Sequence, residues 1–289
     1  MDLVVIYNAQ AGDSAWTPSR VARLLRDAGH RTRIVDREED WPAALASEPD
    51  AFVAAGGDGT VHEVIRTVAK RGSRVPVAIL PIGTANNVAH SLGYGVDDDL
   101  VARAARWHES QRSLRIGLVQ SADQEQLLVE ACGIGAFAQQ LGSEDTSTVK
   151  PASPLSLLAM REGLVRRLLE ASPIRVAVEI EDQRIEKHML LVECVNLGYL
   201  GPRLCLAPDQ SPSDGSITVC GIAPEDRDVA AHWVSTGEGD VTRFRLGRGR
   251  RITITADACG HLDGRRWPTG RLAGTLRIEA GTRTVHVTV

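Results

Sequence analysis

The 289-residue sequence has few aromatic side chains, no strong excess of either charge and no long apolar run. Phe, Trp and Tyr together make up 4% of the residues, so aliphatic side chains must fill most of the core. No apolar stretch approaches the roughly 18 residues that a membrane-spanning helix needs. The net charge of −4 also lacks the basic excess that is typical of nucleic-acid-binding domains. These absences predict a cytoplasmic protein without a nucleic-acid partner.

The five cysteines are scattered singly and show no metal-type spacing. No two of them are separated by only two residues, the spacing that is common in zinc and redox motifs. The sequence therefore predicts reduced thiols, as expected for a protein inside the cell.

The first hundred residues alternate short apolar runs with helical patterns. Runs of strand length occur at 3–7, 31–35, 51–55 and 77–80, and turns follow them. Apolar residues then recur at helical spacing, for example Val61, Val64, Ile65 and Val68. This alternation is typical of an α/β domain with a parallel sheet, which we assign to residues 1–107.

After residue 107 the pattern becomes that of a mainly antiparallel β domain. Alternating apolar segments lie at 113–119, 126–132, 174–180, 189–196, 217–222, 251–256, 272–278 and 285–289. Such alternation predicts a β-sandwich over residues 108–289. A helical pattern at 154–170 interrupts the strands and carries an apolar stripe. The stripe has two interpretations, a cover for the core or a helix that contacts a membrane surface.

A glycine-rich run, Gly56-Gly57-Asp58-Gly59-Thr60, lies between a predicted strand and a predicted helix. Glycines let the backbone approach a ligand closely, and the first turn of a helix directs N–H groups towards an anion. Asp58 is a poor direct partner for phosphate, but it can hold Mg²⁺ that offsets the phosphate charge. The run predicts a phosphate site, with a tight turn capped by Asp58 as the alternative.

Two further polar turns follow strands of the same predicted domain. Gly83, Thr84 and Asn86 follow the strand at 77–80, and the turn at 8–12 follows the first strand. Ligands of open parallel sheets bind beyond the carboxyl ends of the strands. We therefore expect the three turns to converge on one ligand.

These motifs resemble the diacylglycerol kinase catalytic family, which includes bacterial lipid kinases and sphingosine kinases and is distantly related to NAD kinases. The specific matches are G-G-D-G-T-V-H-E (56–63) and P-I-G-T-A-N-N (81–87). Weaker matches in the family's order are N-A-Q-A-G (8–12), G-I-G-A-F-A (133–138), N-L-G-Y-L-G (196–201), L-A-P-D (206–209), S-D-G (213–215) and L-D-G (262–264). The resemblance implies a two-domain kinase with ATP in the cleft between the domains.

The resemblance also implies which residues bind the cofactors ATP and Mg²⁺. The ATP-site residues would be Asn8, Gly12, Gly56, Gly57, Asp58, Gly59, Thr60, Glu63, Gly83, Thr84 and Asn86. For Glu63, an ordinary role in capping the helix is the alternative. A structural Mg²⁺ would be bound by Asp214 together with the carbonyls of Ser211 and Ser216. A plain β-turn at 213–215 explains the same residues without a metal.

The chain departs from the family pattern at two positions. Asn87 stands where the family usually has an aspartate, and Arg265 stands where its D-G-E motif supplies the glutamate thought to act as general base. An arginine cannot accept a proton at neutral pH. Asp263 is then a candidate base, and Arg265 is a candidate for binding an anionic acceptor or stabilising the transferred phosphoryl group.

The implied function is ATP-dependent phosphorylation of a hydroxyl on a lipid such as diacylglycerol, with peripheral contact at the inner face of the membrane. Three alternatives stay open: a kinase of a soluble small alcohol, a nucleotide-binding regulatory protein without turnover, and, less favoured, an NAD kinase, whose Asn-Glu pair is absent here. Homodimer formation also stays open. Among the histidines, only His261 stands out, because it lies beside the L-D-G motif.

Overall fold

The computed structural model describes residues 1–11, 16–36, 41–95, 99–122, 124–141, 154–268 and 271–288. These residues form two compact units. Unit 1 contains the described residues up to Leu114 and those from Arg283 onward, and unit 2 contains almost all of those between. This division differs from the predicted boundary at 107/108, because the chain passes into unit 2 after Leu114 and its last residues return to unit 1.

Unit 1 contains a parallel sheet. Its strands are β1 (Asp2–Tyr7), β2 (Arg31–Asp36), β3 (Ala51–Gly56) and β4 (Val77–Pro81), in the order β2-β1-β3-β4. At the far side of β4, Val287 pairs in parallel with Val77. The strands β1, β3 and β4 are buried along almost their whole length, which explains their continuous apolar sequences.

The helices of unit 1 follow the strands of this sheet. They are α1 (Pro18–Asp27), α2 (Trp41–Ala44), α3 (Asp58–Arg71), α4 (Asn87–Ser91) and α5 (Leu100–Ala105). The Thr17 side chain caps α1 by accepting the N–H of Arg20, and Pro18 occupies the first turn. At the C-terminal end of α3, Gly72 has a φ of 64°. This is a left-handed conformation, which glycine adopts at little cost and which ends many helices.

Among the described residues, unit 2 contains antiparallel strands and three α-helices. The strands that lie wholly or mainly in it are β5 (Gln111–Ser121), β6 (Gln124–Leu128), β7 (Ala131–Gly135), β8 (Ile174–Ile180), β9 (Gln183–Met189), β10 (Leu191–Val195), β11 (Tyr199–Leu200), β12 (Leu204–Cys205), β13 (Ile217–Ile222), β14 (Arg245–Gly249), β15 (Arg251–Ala258), β16 (Gly260–Leu262), β17 (Arg265–Arg266) and β18 (Leu272–Thr288). The helices are α6 (Ala136–Gln140), α7 (Pro154–Glu170) and α8 (Arg227–Thr236).

Two sheets of unit 2 share one apolar core. The first contains the row β18-β15-β8-β9 with β5 and β6, and the second is six-stranded, in the order β14-β13-β10-β7-β16-β17. Val178 and Ile254 of the first sheet are buried in one cluster with Ile134 and Val192 of the second. The predicted α/β fold with an antiparallel sandwich is confirmed.

The six-stranded sheet is covered on its other face by helices. Leu164 and Leu168 of α7 and Trp233 of α8 are buried together with Leu191 and Val195 of β10. The apolar stripe of α7 therefore covers a core, as one of its two interpretations expected. No helix in the described ranges is long and apolar enough to cross a membrane.

Four predicted strand segments are wrong in their limits. The segment 126–132 is two strands, β6 and β7, because Val129 and Glu130 turn their N–H groups to Asp263 instead of to a strand. The segment 189–196 contains the last residue of β9 and all of β10. The segment 272–278 and the described part of 285–289 belong to one long strand, β18.

Candidate functional site

The glycine-rich run connects β3 to α3. Gly56 is the last residue of β3, Gly57 is the N-cap of α3, and Asp58, Gly59 and Thr60 form its first turn. Gly57 has no side chain that could cap the first turn of α3. Such a helix end presents N–H groups and a partial positive charge, which favours an anion.

The turn after β4 lies directly against this run. A Cβ at Gly57 would lie 3.3 Å from the Cα of Gly83, and a Cβ at Gly83 would lie 3.0 Å from the N of Gly57 and overlap its Cα. The N–H of Ile82 donates to the carbonyl of Gly56 at 3.2 Å. The two turns therefore touch through their backbones, an approach that side chains would prevent.

Asn86 holds the second turn in shape. It has a φ of 55°, a left-handed conformation that asparagine tolerates better than most residues. Its Oδ1 accepts the N–H of Gly83 at 3.0 Å, and its Nδ2 donates to the carbonyls of Pro81 and Gly83 at 3.1 and 2.9 Å. The amide is thus used within the turn, so Asn86 shapes the site through Gly83.

Asp58 joins α3 to α4. Its Oδ1 accepts the N–H of Val88, in the first turn of α4, at 3.0 Å. Within the described ranges, its Oδ2 accepts no hydrogen bond, and the side chain is half-buried. One carboxylate oxygen is therefore fixed to the backbone, and the other remains available to a cation or a water.

The turn after β1 meets the same helix. The Nδ2 of Asn8 donates to the Oγ1 of Thr60 at 3.0 Å, and the N–H of Asn8 donates to the carbonyl of Ala55 at 3.1 Å. Glu63 follows in α3, and Thr84 lies in the turn after β4; both are half-buried. Within unit 1 the three turns thus converge as their positions predict. Gly12 lies outside the described residues.

In unit 2, the L-D-G segment turns from β16 to β17. Asp263 is buried, and its carboxylate accepts the N–H groups of Val129, Glu130 and Ala131 at 3.0, 2.7 and 3.1 Å. It therefore anchors the turn between β6 and β7, a placement that does not favour its predicted role as a base. Arg265 is exposed at the start of β17, in register with Leu262.

Beside this segment lies an apolar cavity of about 110 Å³. Its lining includes Phe137 of α6, Leu164 of α7 and Leu200 of β11. Leu141 and Met160, which also line it, are 38% and 40% exposed. Glu130 and His261 are the ionisable groups of the lining.

His261 forms a buried pair with Glu193. Its Nε2 lies 3.0 and 2.9 Å from the two carboxylate oxygens of Glu193, and the two residues are 5% and 0% exposed. Burial lowers the pKa of His261, but the nearby carboxylates of Glu193, Asp263 and Glu130 raise it by more. The pKa of His261 therefore lies above its ordinary value. Sequence reasoning singled out His261 but missed Glu193, which is 68 positions away and carries no motif signal.

In the loop predicted to bind Mg²⁺, hydrogen-bond donors of the protein contact the predicted ligand groups. The Nε2 of Gln210 donates to the carbonyls of Ser216 and Ser211 at 2.7 and 3.4 Å. Asp214 accepts the N–H and the hydroxyl of Ser216 at 2.8 and 2.9 Å, and Arg248 faces its other oxygen at 3.7 Å. The described residues contain no cluster of three His, Cys, Asp or Glu side chains that could hold a metal. Hydrogen bonds within the protein thus reach all three predicted ligand groups, and the Mg²⁺ site stays a prediction.

Comparisons with known proteins agree with the motifs. Residues 2–119 match the family described as Diacylglycerol kinase catalytic domain. The chain is 27% identical to the diacylglycerol kinase of Bacillus subtilis (strain 168) over 219 residues, which cover 73% of this chain and 70% of that protein. The resemblance to the diacylglycerol kinase family is confirmed.

Solved structures share the fold. The crystal structure of a diacylglycerol kinase from Bacillus anthracis str. Sterne superposes with a TM-score of 0.74 at 18% identity and covers 99% of this chain and 96% of that chain. An NAD kinase from Archaeoglobus fulgidus in complex with ATP gives a TM-score of 0.54 at 12% identity, covering 100% and 94% of the two chains. At these identities the likeness shows the fold alone.

Proposed function

We propose that this protein is an ATP-dependent kinase that transfers the γ-phosphoryl group to a hydroxyl of a lipid such as diacylglycerol. The observation that carries the proposal is the packing of the two glycine turns in unit 1, where Gly57 lies against Gly83. This packing leaves a surface of backbone atoms without side chains at the N-terminus of α3. Such a surface suits the phosphates of a nucleotide. The similarity to a protein named diacylglycerol kinase supports a phosphotransferase that acts on a lipid-like substrate.

The phosphate donor is ATP with its Mg²⁺. Phosphoryl transfer depends mainly on positioning and on charge stabilisation around the phosphates. Asp58, held by Val88 through one oxygen, keeps its second oxygen for the Mg²⁺ or for water bound to it. The NAD kinase of similar fold was solved in complex with ATP, which supports a nucleotide as the phosphate donor.

The acceptor contacts the apolar cavity of unit 2. Phe137, Leu164 and Leu200 offer a lipid chain an apolar lining, whereas a small soluble alcohol gains little from it. The exposed Leu141 and Met160 at the cavity also suit contact with a membrane surface. We therefore favour a lipid acceptor over a soluble alcohol.

A cavity-filling variant tests the acceptor class. Initial rates are measured with MgATP and either detergent-dispersed diacylglycerols of increasing chain length or glycerol. We expect transfer to the lipids and little to glycerol, and Leu164→Trp should lower kcat/KM for the lipid by about tenfold or more, with the KM for ATP unchanged. Leu169→Trp is the matched control, because Leu169 lies on the same helix but is 48% exposed.

The outcomes separate the alternatives. Transfer to glycerol as efficient as transfer to the lipids would contradict the lipid class and favour a kinase of soluble alcohols. ATP binding without transfer to either class would favour a regulatory nucleotide-binding protein.

A further inference from the structure

Glu193 and His261 meet across an intervening strand. In the six-stranded sheet, Glu193 of β10 and His261 of β16 both lie opposite Gly133 of β7. Adjacent strands are about 4.8 Å apart, so side chains two strands apart touch only by reaching over the strand between them. These two do so, since the Nε2 of His261 lies 2.9 Å from the nearer oxygen of Glu193.

Gly133 provides the room for this contact. A Cβ at this position would overlap the carboxylate of Glu193. The glycine is not required by backbone conformation, because its φ lies outside the left-handed range. Because Gly133 has no side chain, Glu193 and His261 can meet over this position.

The pairing sets the tautomer of the imidazole. An ionised carboxylate only accepts hydrogen bonds, so the Nε2 of His261 carries the proton that it donates to Glu193. In the neutral ring, Nδ1 is then an acceptor. This atom is buried and has no hydrogen-bond partner in the described part of the chain, and His261 is one of the residues that line the apolar cavity. A buried acceptor without a partner is uncommon in native structures and suits a ligand hydroxyl.

We propose that His261 is the general base that takes the proton of the acceptor hydroxyl, and that Glu193 is the positioning residue that fixes its tautomer. This inference rests on the proposed function. The bond between the acceptor oxygen and the γ-phosphorus forms as the O–H bond breaks and its proton passes to Nδ1. The bond from the γ-phosphorus to ADP breaks, and ADP leaves with the electron pair. The imidazolium, stabilised by Glu193, then releases the proton to water.

The proposal also accounts for Arg265. The L-D-G segment ends with an arginine that cannot act as a base, whereas His261 lies four positions earlier on the strand before the turn. The buried carboxylate of Asp263 is used by three backbone N–H groups. Within the described residues, Arg265 and Asp263 are thus unsuited to act as the base, whereas the Nδ1 of His261 has a free lone pair for a proton.

The charges around the ring set the direction of the pH dependence. Glu193 on β10, with Glu130 and Asp263 in the adjacent turns, raises the pKa of His261 above its ordinary value despite burial. The cations Arg265 and Arg266 lie on the neighbouring β17, and the thiol of Cys132 lies on β7. Since the neutral ring is the base, kcat/KM for the acceptor should rise as the pH increases through this pKa.

The test compares wild type with His261→Gln and Gly133→Ala. Glutamine can keep a hydrogen bond to Glu193 but offers no basic nitrogen. We expect His261→Gln to lower kcat by about 100-fold or more, to lose the rising limb of the pH profile and to keep the KM for ATP. Gly133→Ala, which displaces the Glu193 carboxylate, should lower kcat less. His188→Gln is the control, because His188 is exposed on β9.

Nuclear magnetic resonance of labelled histidine gives a second readout that does not depend on turnover. In wild type at a pH above the pKa of His261, we expect the proton on Nε2 alone, and a shift of the Nδ1 signal when a short-chain diacylglycerol is added. A proton on Nδ1, or no response to the lipid, would overturn the assignment. This readout holds even if His261→Gln fails to fold.

The possible failures are distinguishable. If wild type transfers phosphate and folded His261→Gln keeps its kcat and pH profile, the role of His261 is overturned and the proposed function stands. If wild type transfers phosphate to neither lipids nor soluble alcohols, the proposed function fails, and the role of His261 as base fails with it.

Discussion

At the residue scale, Gly57 and Gly83 bring two turns of unit 1 into backbone contact, and Asn86 holds the second turn in shape. The motifs predicted that these turns would converge, because the carboxyl ends of parallel strands meet at one edge of a sheet. They did not reveal that Asn86 bonds its own turn, since an asparagine side chain suits a ligand equally well.

Gly83→Ala should weaken both folding and nucleotide binding. The new Cβ would lie 3.0 Å from the N of Gly57, so the turns must move apart. We expect the free energy of unfolding to fall by about 1–3 kcal/mol and ATP affinity to fall about tenfold or more. Urea unfolding and calorimetric titration with ATP measure the two effects.

Gly72→Ala is the control for this prediction. Gly72 has a φ of 64° at the end of α3, and a Cβ there would touch nothing within 4 Å. We expect a cost of about 1 kcal/mol from backbone conformation alone, with ATP affinity unchanged. Wild-type ATP affinity in Gly83→Ala would contradict the role of the paired turns.

The buried His261 should make stability depend on pH. Burial lowers its pKa, but Glu193 and its other acidic neighbours raise it more, so the folded protein binds the proton more tightly than the unfolded chain. The resulting stabilisation is complete below the unfolded pKa of about 6.5 and is lost as the pH rises through the folded pKa. The stability advantage of wild type over His261→Gln should therefore shrink as the pH rises. Denaturant unfolding at a series of pH values checks this, and an advantage that grows with pH would contradict it.

At the element scale, the sequence predicted α7 well but not the turn between β6 and β7. The helix shows its own periodicity over 154–170, and the structure gives Pro154–Glu170. The turn depends on Asp263, which bonds Glu130 across 133 positions of sequence. A local pattern contains no sign of such a partner, so the segment was predicted as one continuous strand.

Arg227 should stabilise the C-terminal end of α7. Its guanidinium donates to the carbonyls of Leu168, Leu169 and Ala171 at 2.6, 2.6 and 2.8 Å. These groups have no partner inside the helix, and a cation at this end also complements the helix dipole. We expect Arg227→Ala to lower the free energy of unfolding by about 1–3 kcal/mol.

Arg166→Ala is the matched control for Arg227→Ala, because Arg166 lies on α7 itself and is exposed. Its loss should change stability by no more than about 0.5 kcal/mol. Equal effects of the two variants in denaturant unfolding would show that the carbonyl contacts of Arg227 contribute little.

At the scale of the whole molecule, the sequence predicted the two kinds of architecture and the convergence of the turns of unit 1, but only part of the surroundings of the cavity in unit 2. Parallel strands followed by glycine turns give a local signal for a phosphate site. The pair of Glu193 and His261 depends on the register of three antiparallel strands, which the sequence pattern does not fix. In the loop around Asp214, the motif resemblance gave no sign that Gln210 donates to the carbonyls of Ser211 and Ser216.

The most direct test of the central claim is phosphoryl transfer from γ-labelled ATP with Mg²⁺ to extracted lipids. Wild type should label a lipid product, and Asp58→Asn should lower the rate by about 100-fold or more, because it removes the carboxylate charge that we propose binds the Mg²⁺ of ATP. Asp27→Asn, at the exposed end of α1, should match wild type. The absence of a labelled lipid with wild type, despite measurable ATP binding, would contradict the account.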